Sequence, residues 1–249
     1  MKSKVQILIY THSEYAFIWK AFVGQMEKYV DKNIEIHFGY DENANPDLLK
    51  EIPENWIKHT YPEHLVWTSR VKKMLQEMDC EHVLFLHEDW LPTGDVKQEV
   101  LDYIADFMTH QNCGFLVSYS HISVTSIQPG IDTIYPEYKF FKEDAHIFQP
   151  GIWNKKVFEE FCNLNKSKHQ NEDFDCLNFM RGKNTYSVQN YNTVTTLRTT
   201  NSLLFPHMHA LSQGLWNFTK YPTLEPLLQS YGVNTKDRGI HTWWELDTQ

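Results

Sequence analysis

Carboxylates gather where an apolar run stops. Val83-Leu84-Phe85-Leu86 is followed at once by His87-Glu88-Asp89-Trp90 and Pro92. Two adjacent acids offer hard oxygen donors suited to Mg²⁺ or Mn²⁺. An ion held there can bridge a diphosphate and offset the charge that collects on it as it leaves. Glu88 and Asp89 can equally form a solvated turn closed by Pro92. A second acidic group, Glu172-Asp173-Phe174-Asp175, follows Asn171. Asn is a good helix cap, and acids in a first turn complement the helix dipole. Three acids exceed what capping takes, however, and one aimed at a hydroxyl could serve as general base, a role contributing ~10²–10⁴-fold.

Other residues offer weaker chemistry. In His207-Met208-His209, two His with one residue between them, one imidazole could ligate a metal. In a chain with 13 histidines, either could also be incidental. In Gln149-Pro150-Gly151-Ile152-Trp153, the Trp153 ring could stack on a sugar or anchor the next helix in the core, the commoner use of an aromatic. Arg70 could reach a phosphate or be a surface charge.

The elements that must position these groups alternate. Residues 5–11 read as a buried strand, and Tyr15, Ile18, Trp19, Phe22, Met26 and Val30 recur at helical spacing. Residues 34–40 read as a second strand. Residues 41–64, with Pro46, Pro53 and Pro62, read as an irregular connection. A helix bearing Trp67, Val71, Met74, Leu75 and Met78 then delivers the chain to the apolar strand at 82–86. This β-α-β-α-β order predicts right-handed crossovers and a mostly parallel sheet covered by helices. Ligands bind such sheets beyond the carboxyl ends of the strands, where Thr11-His12-Ser13, Tyr40-Asp41-Glu42 and His87-Glu88-Asp89-Trp90 should meet. The second half is more mixed. It reads as a helix over 96–108, strands at 115–119 and 140–148, helices at 155–164 and 172–181, and strands within 185–205. An aromatic, loop-rich tail follows from Trp216.

Composition narrows the function. The chain has 249 residues and a formal charge of −9 (23 basic against 32 acidic residues), which disfavours nucleic acid, whose affinity comes from clustered Lys and Arg. Only 10 glycines occur, with no G-x-G-x-x-G or Walker A loop, which argues against a nicotinamide dehydrogenase or a P-loop phosphotransferase. The four scattered cysteines suit free thiols better than a disulfide scaffold. The residues before Val5 are too few, and the run from Val5 to Tyr10 too alternating, for a secretory h-region. No run of about 18 apolar residues exists. The expectation is a soluble, cytoplasmic chain without a membrane span.

In their order and spacing these segments resemble glycosyltransferases of the GT-A fold, in particular small bacterial and viral sugar transferases. The likeness rests on Trp67-Thr68-Ser69-Arg70, on the strand ending in Glu88-Asp89-Trp90, on Gln149-Pro150-Gly151-Ile152-Trp153 and on Glu172-Asp173-Phe174-Asp175, and it spans residues 5–216. It implies a Rossmann-like α/β/α sandwich in a single domain over 1–249, with a nucleotide-sugar-binding half (1–94) and an acceptor-binding half with the C-terminal tail (95–249). By this resemblance Asp89 matches the last acid of a D-x-D-type metal site, with Glu88 beside it, and His207 or His209 a C-terminal ligand to Mn²⁺ or Mg²⁺. Asp173, flanked by Glu172 and Asp175, matches the catalytic base. Thr11, Tyr40 and Arg70 fall on the donor side, Trp90 and Trp153 on the acceptor side. His87 stands where D-x-D has its first acid, and some members of this fold work without a metal. The implied activity is transfer from a UDP- or GDP-type sugar to a glycan or other hydroxyl acceptor, with inversion. A metal-dependent hydrolase of a phosphorylated or sugar substrate and a non-catalytic carbohydrate-binding protein are the alternatives.

Overall fold

The computed structural model describes residues 4–117, 130–143, 150–164, 179, 183–190 and 202–241. Strand β1 (Val5–Tyr10) is buried along its whole length. Its side chains alternate between two cores, with Val5, Ile7 and Ile9 in one and Leu8 and Tyr10 in the other. That period of two marks a strand covered on both faces. Helix α1 (Ala16–Tyr29) lays Ile18, Trp19, Phe22 and Met26 into the first core. Strand β2 (Ile36–Asp41) runs parallel to β1 on one side, and β4 (His82–His87) parallel on the other. Between them in sequence, α2 (Trp67–Glu77) buries Trp67, Val71, Met74 and Leu75 in the second core.

The region expected to be irregular, 41–64, contains a further strand, β3 (Ile57–Tyr61), parallel to β2 at the sheet edge. Only His59 and Tyr61 of its five residues are buried. The apolar signal of a central strand is therefore missing, and the nearby prolines masked the rest.

The remaining elements are β5 (Trp90–Pro92), α3 (Gln98–His110), β6 (Cys113–Val117), β7 (Ile131–Asp132), β8 (Tyr138–Glu143), β9 (Gly151–Asn154), α4 (Lys155–Leu164), β10 (Asn184–Asn190), β11 (His207–His209), β12 (Leu211–Ser212), β13 (Leu215–Trp216) and α5 (Leu224–Ser230). Nine strands form one sheet in the order β3-β2-β1-β4-β9-β6-β10-β8-β7. Strands β3, β2, β1 and β4 are mutually parallel, and β6 pairs in parallel with β10. Strand β9 runs antiparallel between β4 and β6, and β8 antiparallel to β10 and β7. Helices α1 and α3 cover one face, α2 and α4 the other. The result is the expected α/β/α sandwich around a mostly parallel sheet. Among the described residues, no helix is long and apolar enough to cross a membrane.

Strand β9 corrects one expectation. Gly151 sits where an added Cβ would lie 2.9 Å from the Leu116 carbonyl oxygen, so glycine is what lets β9 close the gap between β4 and β6. Two residues on, Trp153 is 2% exposed and stacks on Phe158 at 4.5 Å, with Phe115 at 4.4 Å. A ring walled in by aromatics has no face for a sugar, so Trp153 anchors α4 to the sheet instead of binding an acceptor. Trp153→Ala should cost about 3–5 kcal/mol in denaturant unfolding, the range for truncating a buried aromatic. A cost below about 1 kcal/mol would contradict this placement.

Candidate functional site

The carboxyl ends of β1 and β4 open onto a cavity of about 470 Å³ lined by Tyr10, Thr11, Tyr15, Glu88, Asp89, Trp90 and His209, with the 211–214 hairpin overhead. A larger hollow of about 660 Å³ lies at the opposite end of the sheet, between the end of α1 and the start of α3. It carries mixed charge, including Lys28, Asp31, Asp95 and Glu99.

The corner is built by hydrogen bonds from three strands. The Thr11 N–H donates to Gly39 O at 3.0 Å, Trp19 Nε1 donates to Thr11 Oγ1 at 2.7 Å, and the Tyr61 hydroxyl donates to the Thr11 carbonyl. Asp41, fully buried at the end of β2, accepts from Ser13 N at 2.5 Å, Ser13 Oγ at 3.0 Å and Asn43 N at 3.0 Å. Burial pushes its carboxyl up, but these donors and nearby His12 outweigh burial and leave it below the usual range. The loop entering α1 is therefore fixed before any ligand arrives.

A short ribbon completes the site. Strands β5 and β11 pair antiparallel, with His209 opposite Trp90 and His207 opposite Pro92. Ala210 N donates to Asp89 O at 2.7 Å and Thr93 N to Pro206 O at 2.8 Å, extending the pairing at both ends. His209 Nε2 consequently meets Asp89 Oδ2 at 2.9 Å. His207, two residues earlier, shares that side of the strand, its ring 6.4 Å from Trp90 against 6.3 Å for His209, but it sits deeper. It is 4% exposed, its Nδ1 lies 2.7 Å from the Phe205 carbonyl, and burial pushes its pKa down to about 4. Of the two candidate ligands, His209 is the one that faces the cavity.

Burial and neighbouring groups shift three successive residues away from their ordinary ranges. Burial lowers His87 to about 4, so its ring, packed on Trp90 at 4.8 Å, is neutral at pH 7. Burial, reinforced by the Asp89 charge, holds Glu88 well above the usual carboxylate range, against a hydrogen bond with Thr11. For Asp89 burial also acts upward, but the His209 and His87 rings beside it prevail and keep it low. Among the described residues, the buried Glu88 Oε2 has no hydrogen-bond partner.

The described residues contain no group of three or more His, Cys, Asp or Glu placed to hold a metal by themselves. The donor set of Asp89 and His209, next to an orphaned Glu88 oxygen, still fits an ion whose other positions are filled by phosphate oxygens and water. Mg²⁺ and Mn²⁺ at phosphate sites are commonly held in this way, and a nitrogen donor favours Mn²⁺.

Thr11, Glu88, Asp89, Trp90 and His209 thus line one cavity. Arg70 does not line the cavity. Its Nε donates to Leu65 O at 2.7 Å, Nη2 donates to Glu63 O, and Nη1 donates to Tyr10 Oη at 3.0 Å, so it braces the cavity wall. Tyr40 is half-buried against Phe38 on the α1 face, away from the cavity lining. Glu172, Asp173 and Asp175 lie outside the described residues. Sequence reasoning missed Tyr15 and the hairpin. The hairpin signal is Gln213-Gly214, whose φ values of 51° and 78° form the left-handed pair that a two-residue turn demands.

Among solved structures, a cytidylyltransferase from Leptospira borgpetersenii serovar Hardjo-bovis superposes with a TM-score of 0.52 at 11% identity, over 96% of this chain and 99% of that one. Staphylococcus aureus TarS (residues 1–349) gives 0.47 at 11% identity over 93% and 66% of the two chains. CMP:2-keto-3-deoxy-manno-octonic acid synthetase complexed with CTP gives 0.46 at 12% identity over 74% and 89%. At such identities the likeness to the cytidylyltransferase shows a shared fold. The sequence matches no protein-family model and no curated protein.

Glu88 yields a pH prediction. A carboxyl whose folded pKa is raised contributes its stability below its unfolded pKa and loses it as pH rises. Glu88→Gln removes the burden of ionising in place. The variant should melt higher than the parent at pH 8 and equally near pH 4; a difference that does not change with pH would contradict a protonated Glu88.

Proposed function

We propose that the protein is a sugar transferase that takes a nucleoside-diphosphate sugar of the UDP or GDP type and passes the sugar to a hydroxyl of a glycan or similar acceptor. The observation that carries this reading is the Asp89–His209 pair, assembled at the carboxyl ends of parallel strands beside Thr11. In this reading residues 1–94 hold the donor, and residues 95–249 contribute the acceptor side.

The diphosphate docks over the end of β4, between Asp89 and the loop fixed by Asp41. A bound Mn²⁺ or Mg²⁺, held by Asp89 and His209, would supply positive charge against the departing diphosphate. Burial holds Glu88 toward its neutral form, which lessens the repulsion between this corner and phosphate. Tyr15 and Trp90 wall the cavity and exclude water from the donor. Asp173, by the resemblance, takes the proton of the acceptor hydroxyl. That oxygen bonds to the anomeric carbon as the bond to the diphosphate oxygen breaks, so the nucleoside diphosphate leaves and the centre inverts.

The shared fold raises a second reading, nucleotidyl transfer from a triphosphate. Such a site must balance more phosphate charge. Residues 11–15, leading out of β1, contain no Gly, Lys or Arg, and His12 is their only basic group. The first reading fits this corner better.

Calorimetry with UDP or GDP and Mn²⁺ tests the site. Asp89→Ala should weaken nucleotide and Mn²⁺ binding together by at least about tenfold, the worth of one charged contact. Asp173→Asn should bind donor normally but lose about 10²-fold or more in transfer. Unchanged binding in the first variant, or full activity in the second, would contradict the assignment.

A further inference from the structure

Beneath the edge of the sheet lies a chain of four titratable side chains that the proposed transfer does not use. Glu35 Oε1 is 3.1 Å from His37 Nε2, His37 Nδ1 is 2.8 Å from His59 Nε2, and His59 Nδ1 is 3.0 Å from Glu77 Oε2. The two rings are almost parallel, 13° apart, and 1% and 4% exposed. The carboxylates at either end reach the surface, with 47% and 57% of their side chains exposed. Glu35 also accepts from the Gln6 amide on β1, which fixes it as an acceptor.

Counting hydrogens decides what this arrangement is. Each of the three contacts needs one hydrogen between its partners. Ionised carboxylates have none to give, and two neutral imidazoles bring only two. The third hydrogen must be an added proton, shared by the pair and balanced by Glu35 and Glu77. When it leaves, one contact is left lone pair to lone pair: Nδ1 of His59 against Glu77, Nε2 of His37 against Glu35, or His37 Nδ1 against His59 Nε2. That contact then opens to water.

We propose that Glu35, His37, His59 and Glu77 form a one-proton switch: with the proton bound they tie β3 and the end of α2 to β2, and without it one of the three links opens. The tied elements both reach the cavity, β3 through Tyr61 on the Thr11 carbonyl and α2 through Arg70 on Tyr10. The inference is independent of which reaction takes place there.

The other charged and titratable groups nearby leave the count intact. Lys73 of α2 donates to Thr60 O at 3.2 Å, and Lys58 of β3 donates to Leu49 O at 3.3 Å. The Cys80 thiol, after α2, is raised by burial to about 11 and is neutral. Burial, against the hydrogen bond that His37 donates to Glu35, holds His37 below the ordinary imidazole range. The proton is therefore taken up only on acidification. Since an unfolded His binds it near pH 6.5, this site loses folding stability as pH falls below that value.

Glu77→Gln is the test, because its side chain is mostly exposed and the change is isosteric. The introduced amide can donate to a bare His59 Nδ1, so two neutral imidazoles then satisfy all three contacts without a proton. Histidine NMR titration of the whole protein should show one shared proton in the parent. In Glu77→Gln its midpoint should fall by at least about one pH unit, a tenfold loss of proton affinity from removing a charge in contact. The melting temperature of the variant relative to the parent should fall progressively from pH 8 to pH 5. Two independent one-proton titrations of His37 and His59, or a midpoint unmoved in the variant, would overturn the switch.

Discussion

One contact spans most of the chain: Asp89 and His209, 120 positions apart, meet at 2.9 Å. Neither side chain finds the other unless β4 ends where it does and β11 returns to pair with β5. The ribbon bonds from Ala210 to Asp89 and from Thr93 to Pro206 lock that register, so backbone pairing positions the two side chains. Preorganisation of this kind is what a site needs if charge is to be met without moving parts. The first half of the chain supplies the strand end that carries Asp89, and the second half supplies the histidine that faces it.

Electrostatics follow from the same geometry. His87, Glu88 and Asp89 are consecutive, yet the turn between β4 and β5 sends them into different surroundings. His87 packs among Tyr10, Phe85 and Trp90 and is neutral, Glu88 turns inward beside Thr11 and resists ionisation, and Asp89 turns to His209 and ionises readily. Environments that push neighbouring pKa values apart give neighbouring groups different roles. The two adjacent acids of the motif are thus pushed in opposite directions.

Much of the first half was legible in the sequence because each element buries a periodic face. Strands β1 and β4 and helices α1 and α2 lie within a few residues of their expected limits. Edge strand β3 was not legible, since three of its five residues face solvent. The Trp153 segment reads as a recognition motif when taken alone, whereas its aromatic neighbours Phe115, Phe158 and Phe161 come from other elements and turn it into core. At the site, adjacency in sequence revealed Glu88 and Asp89. Alternation puts His207 and His209 on one side of their strand, and which of them meets Asp89 was not legible, because that depends on the register of a three-residue strand. Arg70 shows the opposite limit. A cation near a predicted phosphate site looks like a ligand until its donors are seen bound to the carbonyls of residues 63 and 65 and to Tyr10.

The account rests on a diphosphate and its cation meeting at the end of β4. Paramagnetic broadening of assigned amide resonances by substoichiometric Mn²⁺, added with UDP or GDP, locates that ion directly. The account predicts that Thr11, Asp89, Trp90 and His209 are broadened first, together with the hairpin at Ser212 and Gly214. Broadening confined to the hollow around Asp31, Asp95 and Glu99 at the far end of the sheet would contradict it.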